Sequence, residues 1–257
     1  DKTVREMTRY SVIVENAIDK ASERDVPDVL CSALTDDCIG RGKTIKEGGA
    51  VYDFISGLQV GIANMADSLA AIKKLVYEEK KITKEQLWNA ILDDFQSEEN
   101  KKIQEMLIND VPKYGNDDDR VDEIAVNLVK TFMKKLEGHI TYRNSIPTQS
   151  ILTITSNVVY GKYTGAMPDG RKAGTPLSPG ANPSYGAEQN GLLASLNSLT
   201  KLPYEWALDG ISNTQTMNPD ALGHNEDERV ANLVNVMDGY FDQGAHHLNV
   251  NVFGKDK

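Results

Sequence analysis

The sequence predicts an α/β protein whose first half is mainly helical. Between residues 4 and 140, apolar residues recur at helical spacing among many charged ones. From about residue 141, β-branched runs alternate with helical stretches and with glycine and asparagine turns. Strand, helix, strand, helix, strand in succession is the pattern of an α/β sheet or barrel. We therefore expect a mainly helical segment at 1–140 and an α/β segment at 141–257.

The composition is that of a globular protein and narrows the classes of function. The chain has 257 residues, a net charge of −10 and a pI near 4.9. Its 28 Lys and Arg residues are scattered, whereas phosphate binding needs them clustered, so a nucleic-acid surface is disfavoured. No run of about 18 apolar residues and no basic-plus-apolar leader pattern is visible, which predicts a cytoplasmic protein without a membrane partner.

The helical half divides into segments at its caps and glycines. The spacing predicts, in order, helices over 4–23 and 26–39, a glycine-rich loop over 39–53, a buried helix over 52–75, and helices over 83–95 and 116–140. Gly57 and Gly61 would allow close helix contact within the fourth segment. Thr83 and Gln86 form a capping box, and Trp88 is expected on the inner stripe of the helix that follows.

Two motifs in this half resemble ligand sites but lack the required spacing. A phosphate loop ending at Gly42-Lys43-Thr44 needs a glycine at position 37, where the chain has Asp37. The acidic run 117–119 lacks the alternating acceptors, central glycine and final Glu of a calcium loop. Helix capping and a solvated face explain the acidic run instead.

The second half supplies the strands. A β-branched run at 151–160 is expected to be a strand, followed by a turn at 168–170. The remaining expectations are a helix over 191–202, a strand within 210–219, a helix over 226–244 closed by Gly244, and a strand over 246–253.

Candidate chemistry concentrates on the run at 151–160. The histidines, cysteines and serines match no metal-ligand or nucleophile spacing, so no metal site is expected. Polar side chains on a buried strand are costly unless they meet partners or a ligand. The substrate-pocket candidates are therefore Thr153, Thr155, Asn157 and Tyr160. Hydrogen bonds satisfied within the core remain the alternative, and the cations Lys162, Arg171 and Lys172 are expected to brace the following loop against acidic helices.

Three long stretches carry a family resemblance. They are TYRNSIPTQSILTITSNVVYGKYTGAMPDGRKAGTPLSPGANPSYG, KLPYEWALDGISNTQTMNPDALG and MDGYFDQGAHHLNVNV, which cover about 141–253. They closely resemble the C-terminal part of pyruvate formate-lyase. The earlier stretches SALTDDCIGRGKTIKEGGAVYDFISGLQVGIANMADSLAAIKKL and KYGNDDDRVDEIA resemble glycyl radical enzymes generally, and the dehydratase and decarboxylase branches in particular.

The resemblance implies a ten-stranded α/β barrel in which a radical glycine faces a catalytic cysteine. It further implies formate C-acetyltransferase activity in anaerobic glucose metabolism, which converts pyruvate and the cosubstrate coenzyme A into acetyl-coenzyme A and formate. A radical S-adenosylmethionine activating enzyme and a homodimer are the implied partners. The alternatives are a glycyl radical diol or glycerol dehydratase, and a non-catalytic scaffold domain.

The chain departs from the family pattern at the radical residues. It has no Cys-Cys pair, no Cys-x-Glu motif and no RVSGY-like glycine loop. The resemblance therefore implies a fragment, with the catalytic cysteine before residue 1, the radical glycine after residue 257, and no catalytic residue within the chain. In this alignment the strand around Thr153 and Thr155 reaches the barrel interior, and Tyr160 stands near the substrate pocket.

Overall fold

The computed structural model describes residues 2–254, which form two compact units. Unit 1 comprises the described residues up to 58 together with 129–150 and 205–209. Unit 2 comprises 59–128, 151–204 and the described residues from 210 onward. No helix within residues 2–254 has the length and apolarity needed to cross a membrane.

Unit 1 is built on three helices and a pair of parallel strands. The helices are α1 (Lys2–Asp25), α2 (Val29–Leu34) and α3 (Cys38–Arg41), and the strands are β1 (Phe54–Leu58) and β2 (Ile146–Ser150). β1 and β2 pair in register from Phe54 with Ile146 to Leu58 with Ser150. Arg143 lies just before β2, and its guanidinium reaches Asp19 at 2.9 Å and Asp53 at 2.6 Å. This buried cation ties α1 to the start of both strands.

Helices make up most of the remaining chain. They are α4 (Ile62–Ala71), which continues as a π-helix (Ile72–Glu78), α5 (Lys84–Leu92), α6 (Glu98–Asn109), α7 (Asp119–Leu136), α8 (Ser156–Tyr163), α9 (Gly191–Thr200), α10 (Pro219–Leu222) and α11 (Glu226–Asp242). In unit 2, β3 (Thr214–Met217) pairs in parallel with β4 (Asn249–Val252). A single parallel bridge joins Ile151 to Ile211 beside them.

Most of the helix predictions are confirmed because their signals are local. α5 begins after Thr83, whose hydroxyl accepts the N–H of Gln86 while the Gln86 side chain accepts the N–H of Thr83. α11 ends at Asp242, two residues before Gly244, which has a φ of +92°. The inner stripe of α5 differs from the prediction in one position, since Trp88 is 61% exposed.

The predicted helix over 52–75 is wrong over residues 52–61. Residues 54–58 form β1, and α4 begins only after Gly61, which takes a φ of +80° at the N-cap. Gly57 therefore lies on a strand and makes no helix contact of the kind expected. The helical pattern in this stretch was overridden because β2 supplies backbone partners that no local signal reveals.

The predicted strand over 151–160 is also wrong. The actual strand, β2, ends at Ser150, and the run continues through a turn into α8. Ile154 takes a φ of +50°, which breaks the extended conformation. The carbonyl of Thr153 accepts both the N–H of Ser156 at 2.7 Å and its hydroxyl at 2.6 Å. These local hydrogen bonds start the helix despite the β-branched composition.

Candidate functional site

The structure separates the four predicted pocket residues into two kinds. Thr153 and Asn157 are buried, whereas Thr155 is exposed and Tyr160 is 55% exposed. The hydroxyl of Thr153 accepts the N–H of Gly180 at 3.1 Å, and the Asn157 amide donates to the carbonyl of Leu177 at 3.1 Å. The two buried side chains thus hold the following loop, and the pocket role of all four stays a prediction.

Arg171 braces its loop through main-chain carbonyls rather than through acidic helices. Its guanidinium donates to the carbonyls of Gly161 and Gly165 at 2.7 Å each, and also to that of Thr175. Burial lowers the pKa of this guanidinium. Arg171 therefore fixes the conformation of 161–175 and is not available to hold an anion.

A polar cleft of about 760 Å³ lies within unit 2. Four segments form its walls: α4, the stretch 108–118, the loop 169–176 and the loop 184–190. Four polar residues of its lining are not among the site residues that the sequence predicts, namely Asn64, Asp67, Lys113 and Asp169. The available signal was the pair Asn64 and Asp67, which are polar residues three positions apart in a mostly apolar helix.

Asn64 connects three segments of the cleft. Its amide nitrogen donates to a carboxyl oxygen of Asp169 at 2.7 Å and to the hydroxyl of Ser184 at 3.1 Å. Its amide oxygen accepts the N–H of Ser178 at 2.7 Å. Because Asn64 is 2% exposed, these hydrogen bonds form in a dry environment, where losing one is costly. One side chain thus holds both loops against α4.

Asp67 is the most strongly perturbed acid of the cleft. Burial raises the pKa of its carboxyl to about 7, and the charge of Lys113 and the N–H of Tyr114, donated at 2.8 Å, oppose this rise. Burial also lowers the pKa of Lys113, whose ammonium donates to the carbonyls of Leu107 at 2.8 Å and Asp169 at 2.9 Å. A buried acid of this kind in a cleft is a common feature of functional sites.

The acidic run 117–119 is organised by one lysine. The Lys201 ammonium lies 2.7 Å from a carboxyl oxygen of Asp117, 2.7 Å from Asp119 and 2.8 Å from the buried Asp122. Asp118 accepts the backbone N–H of Arg120 at 3.0 Å, which is the expected capping role. Among residues 2–254, no group of three or more His, Cys, Asp and Glu side chains has an arrangement suited to a metal ion.

The two neighbouring histidines, His246 and His247, contact different groups. The His246 ring packs edge-on against Tyr204, with centroids 4.7 Å apart. Nδ1 of His247 accepts the backbone N–H of Asn213 at 3.1 Å. Asn213 is fully buried, and its side-chain oxygen accepts from Asn182 and from Gln215, each at 3.0 Å. This amide network orders the start of β3.

Comparisons with known proteins cover both ends of the chain. Residues 1–161 match the family model described as pyruvate formate lyase-like, and residues 177–257 match the glycine radical model. The probable dehydratase YbiW of Escherichia coli (strain K12) is 40% identical over 265 residues, which cover 100% of this chain and 32% of the relative. The chain thus spans about a third of the length of this relative.

Two solved structures are also similar to nearly all of this chain, which again matches about a third of their length. The glycerol-bound B12-independent glycerol dehydratase from Clostridium butyricum superposes with a TM-score of 0.90 at 36% identity, over 98% of this chain and 32% of that one. A glycyl radical enzyme from Archaeoglobus fulgidus superposes with a TM-score of 0.88 at 30% identity, again over 98% and 32%. The backbone arrangement of the described residues is therefore shared with these enzymes.

Proposed function

Because the chain belongs to the pyruvate formate lyase-like family of glycyl radical enzymes, we propose that the whole protein is a radical dehydratase acting on a small 1,2-diol such as glycerol. The chain forms part of the α/β barrel of these enzymes, as the sequence predicted. The observation that carries the proposal is the match of 98% of the chain, at a TM-score of 0.90, to a glycerol dehydratase.

Formate C-acetyltransferase, the first expectation from the resemblance, has less support than the dehydratase alternative. The curated relative and the solved glycerol dehydratase are both named as dehydratases. Removal of water from a 1,2-diol gives an aldehyde and needs no acyl acceptor, so coenzyme A is not required as a cosubstrate. The comparisons give no support to coenzyme A.

A protein-derived glycyl radical is the cofactor that fits this proposal, because the glycine radical model matches 177–257. Such a radical supplies the hydrogen-atom abstraction that starts the reaction. The described residues fit a supporting role, since the bonds of Asn64 and the amide network at β3 fix the positions of loops and strands within unit 2. A radical S-adenosylmethionine activating enzyme, a homodimer and a cytoplasmic location complete the proposal.

The test is turnover by the whole protein, produced anaerobically with its activating enzyme. Glycerol should be converted to 3-hydroxypropanal, while pyruvate and coenzyme A should give no acetyl-coenzyme A. Electron paramagnetic resonance should show a glycyl radical before substrate is added. Acetyl-coenzyme A formation would instead establish the acyltransferase. A protein that never acquires the radical would support the scaffold alternative.

A further inference from the structure

We propose that the polar cleft of unit 2 binds a neutral polyhydroxylated ligand of up to sugar size. Its volume of about 760 Å³ lies in the usual range for small-molecule sites. Its walls combine apolar groups such as Ile108, Val111 and Pro176 with polar side chains. The site goes beyond the proposed dehydratase activity, because it is formed within unit 2 and its occupancy is measured without turnover.

Most polar groups of the cleft are already engaged and therefore do not select the ligand. Asn64 uses both its amide atoms on Asp169, Ser184 and Ser178. Both carboxyl oxygens of Asp169 are also occupied, one by Asn64 and the other by the N–H of Arg171 at 2.9 Å. These bonds give the cleft a fixed shape in advance of binding, which lowers the entropic cost of holding a ligand.

The groups that remain for a ligand include three donors and one acceptor. Lys113 has three ammonium hydrogens and donates to two carbonyls, which leaves one. The hydroxyl of Ser184 accepts from Asn64, and that of Tyr185 accepts from Asn157 at 3.3 Å, so each retains its own proton. Asp67 accepts the N–H of Tyr114 through one oxygen, and its other oxygen accepts no hydrogen bond from the described residues.

This mixture selects for hydroxyl groups rather than for a charged ligand. The three carboxylates of the lining, on Asp67, Asp118 and Asp169, nearly balance the cations of Lys113 and Arg171. An anion would meet the carboxylates and a cation would meet the lysine, whereas a hydroxyl both donates and accepts.

Tyr185 adds an apolar surface suited to the carbon skeleton of a polyol. Its side chain is 67% exposed, and it lines the cleft. An aromatic ring carrying one hydroxyl presents an apolar face together with a polar tip.

The experiment is a titration of the 257-residue chain with glucose, followed by amide chemical shifts in NMR. Saturable shifts should be confined to the cleft, for example at Gly186 and Ala187. Tyr185→Phe and Ser184→Ala each remove one hydroxyl donor together with the acceptor that it offers to Asn157 or Asn64, and each should weaken binding about fivefold. Tyr163→Phe is the matched control, because Tyr163 is 81% exposed and does not line the cleft.

Acetate and methylammonium serve as small charged probes, one an anion and the other a cation. Both should bind more weakly than glucose. The proposal is overturned if glucose gives no saturable shift up to about 100 mM, if a charged probe binds more tightly, or if neither cleft variant differs from the control. Dehydratase turnover of the whole protein is measured separately, so failure of either proposal is recognised independently.

Discussion

Replacing Asp67 with asparagine tests the electrostatics of the polar cleft. Asparagine keeps an oxygen that accepts the N–H of Tyr114, but it does not titrate. In the wild type, burial holds the pKa of Asp67 at about 7, against 3.8 for an unperturbed aspartate. The variant therefore removes the cost of ionising a buried carboxyl while it preserves the shape of the side chain.

The sign and size of the effect follow from the raised pKa. Below about pH 4 the carboxyl is protonated in both the folded and the unfolded chain, and its contribution to stability is fully present. As the pH rises toward 7, the unfolded chain ionises first, so wild-type stability falls. A difference of about 3 pKa units corresponds to about 4 kcal/mol over this window. Asp67→Asn should lack this fall.

The assay is urea unfolding of both proteins at pH 5, 6, 7 and 8. The free energy of unfolding of Asp67→Asn, relative to wild type, should increase with pH and level off above about pH 8. The slope is diagnostic, because the attraction of Lys113 is already included in the raised pKa of Asp67, whereas a change in packing adds only an offset that does not depend on pH. A carbon-13 titration of the Asp67 carboxyl checks the pKa directly.

Asp93→Asn is the matched control. Hydrogen bonds, chiefly the N–H of Ser97 and the Asn100 amide, lower the pKa of Asp93. Its carboxyl is therefore ionised in the folded and unfolded chain alike between pH 5 and 8, and the variant should show no slope there. A flat difference for Asp67→Asn, or equal slopes for the two variants, would refute the assignment of a buried, neutralised acid.

Three further predictions concern other parts of the chain. Arg143→Met should destabilise unit 1 by about 3 kcal/mol in urea unfolding, because it leaves two carboxylates without their cation. Gly170→Ala should destabilise more than Gly174→Ala, since both have positive φ but only the former places a Cβ 2.6 Å from Ile108; equal melting temperatures would contradict this. Tyr160→Phe in the whole enzyme should reduce turnover without changing stability. An equal loss of turnover and stability would show that Tyr160 contributes to packing and not to the substrate pocket.

The candidate site shows which functional features could be predicted from the sequence and which could not. The pocket candidates were chosen for a strand that the chain does not form, and their side chains divide between the interior and the surface. The cleft groups come instead from α4, from the stretch before α7 and from two later loops. In the sequence, the cleft is indicated only by Asn64 and Asp67, two polar residues in a mostly apolar helix. Their hydrogen-bond partners, Asp169 and Tyr114, lie many residues away along the chain.

The sequence by itself determined the features that depend on neighbours within about four residues. The capping box at Thr83, the end of α11 before Gly244 and the helices α1, α7 and α9 follow from periodicity and caps. The long family-like stretches also identified the family.

Tertiary structure alone decided the features that depend on distant partners. β1 exists because β2 pairs with it, and the turn at Ile154 follows the end of that pairing. The pKa of Asp67 rises because the packed chain, including residues far away in sequence, buries its carboxyl. Backbone pairing and desolvation are set by the packed chain, and no local pattern of residue types specifies them.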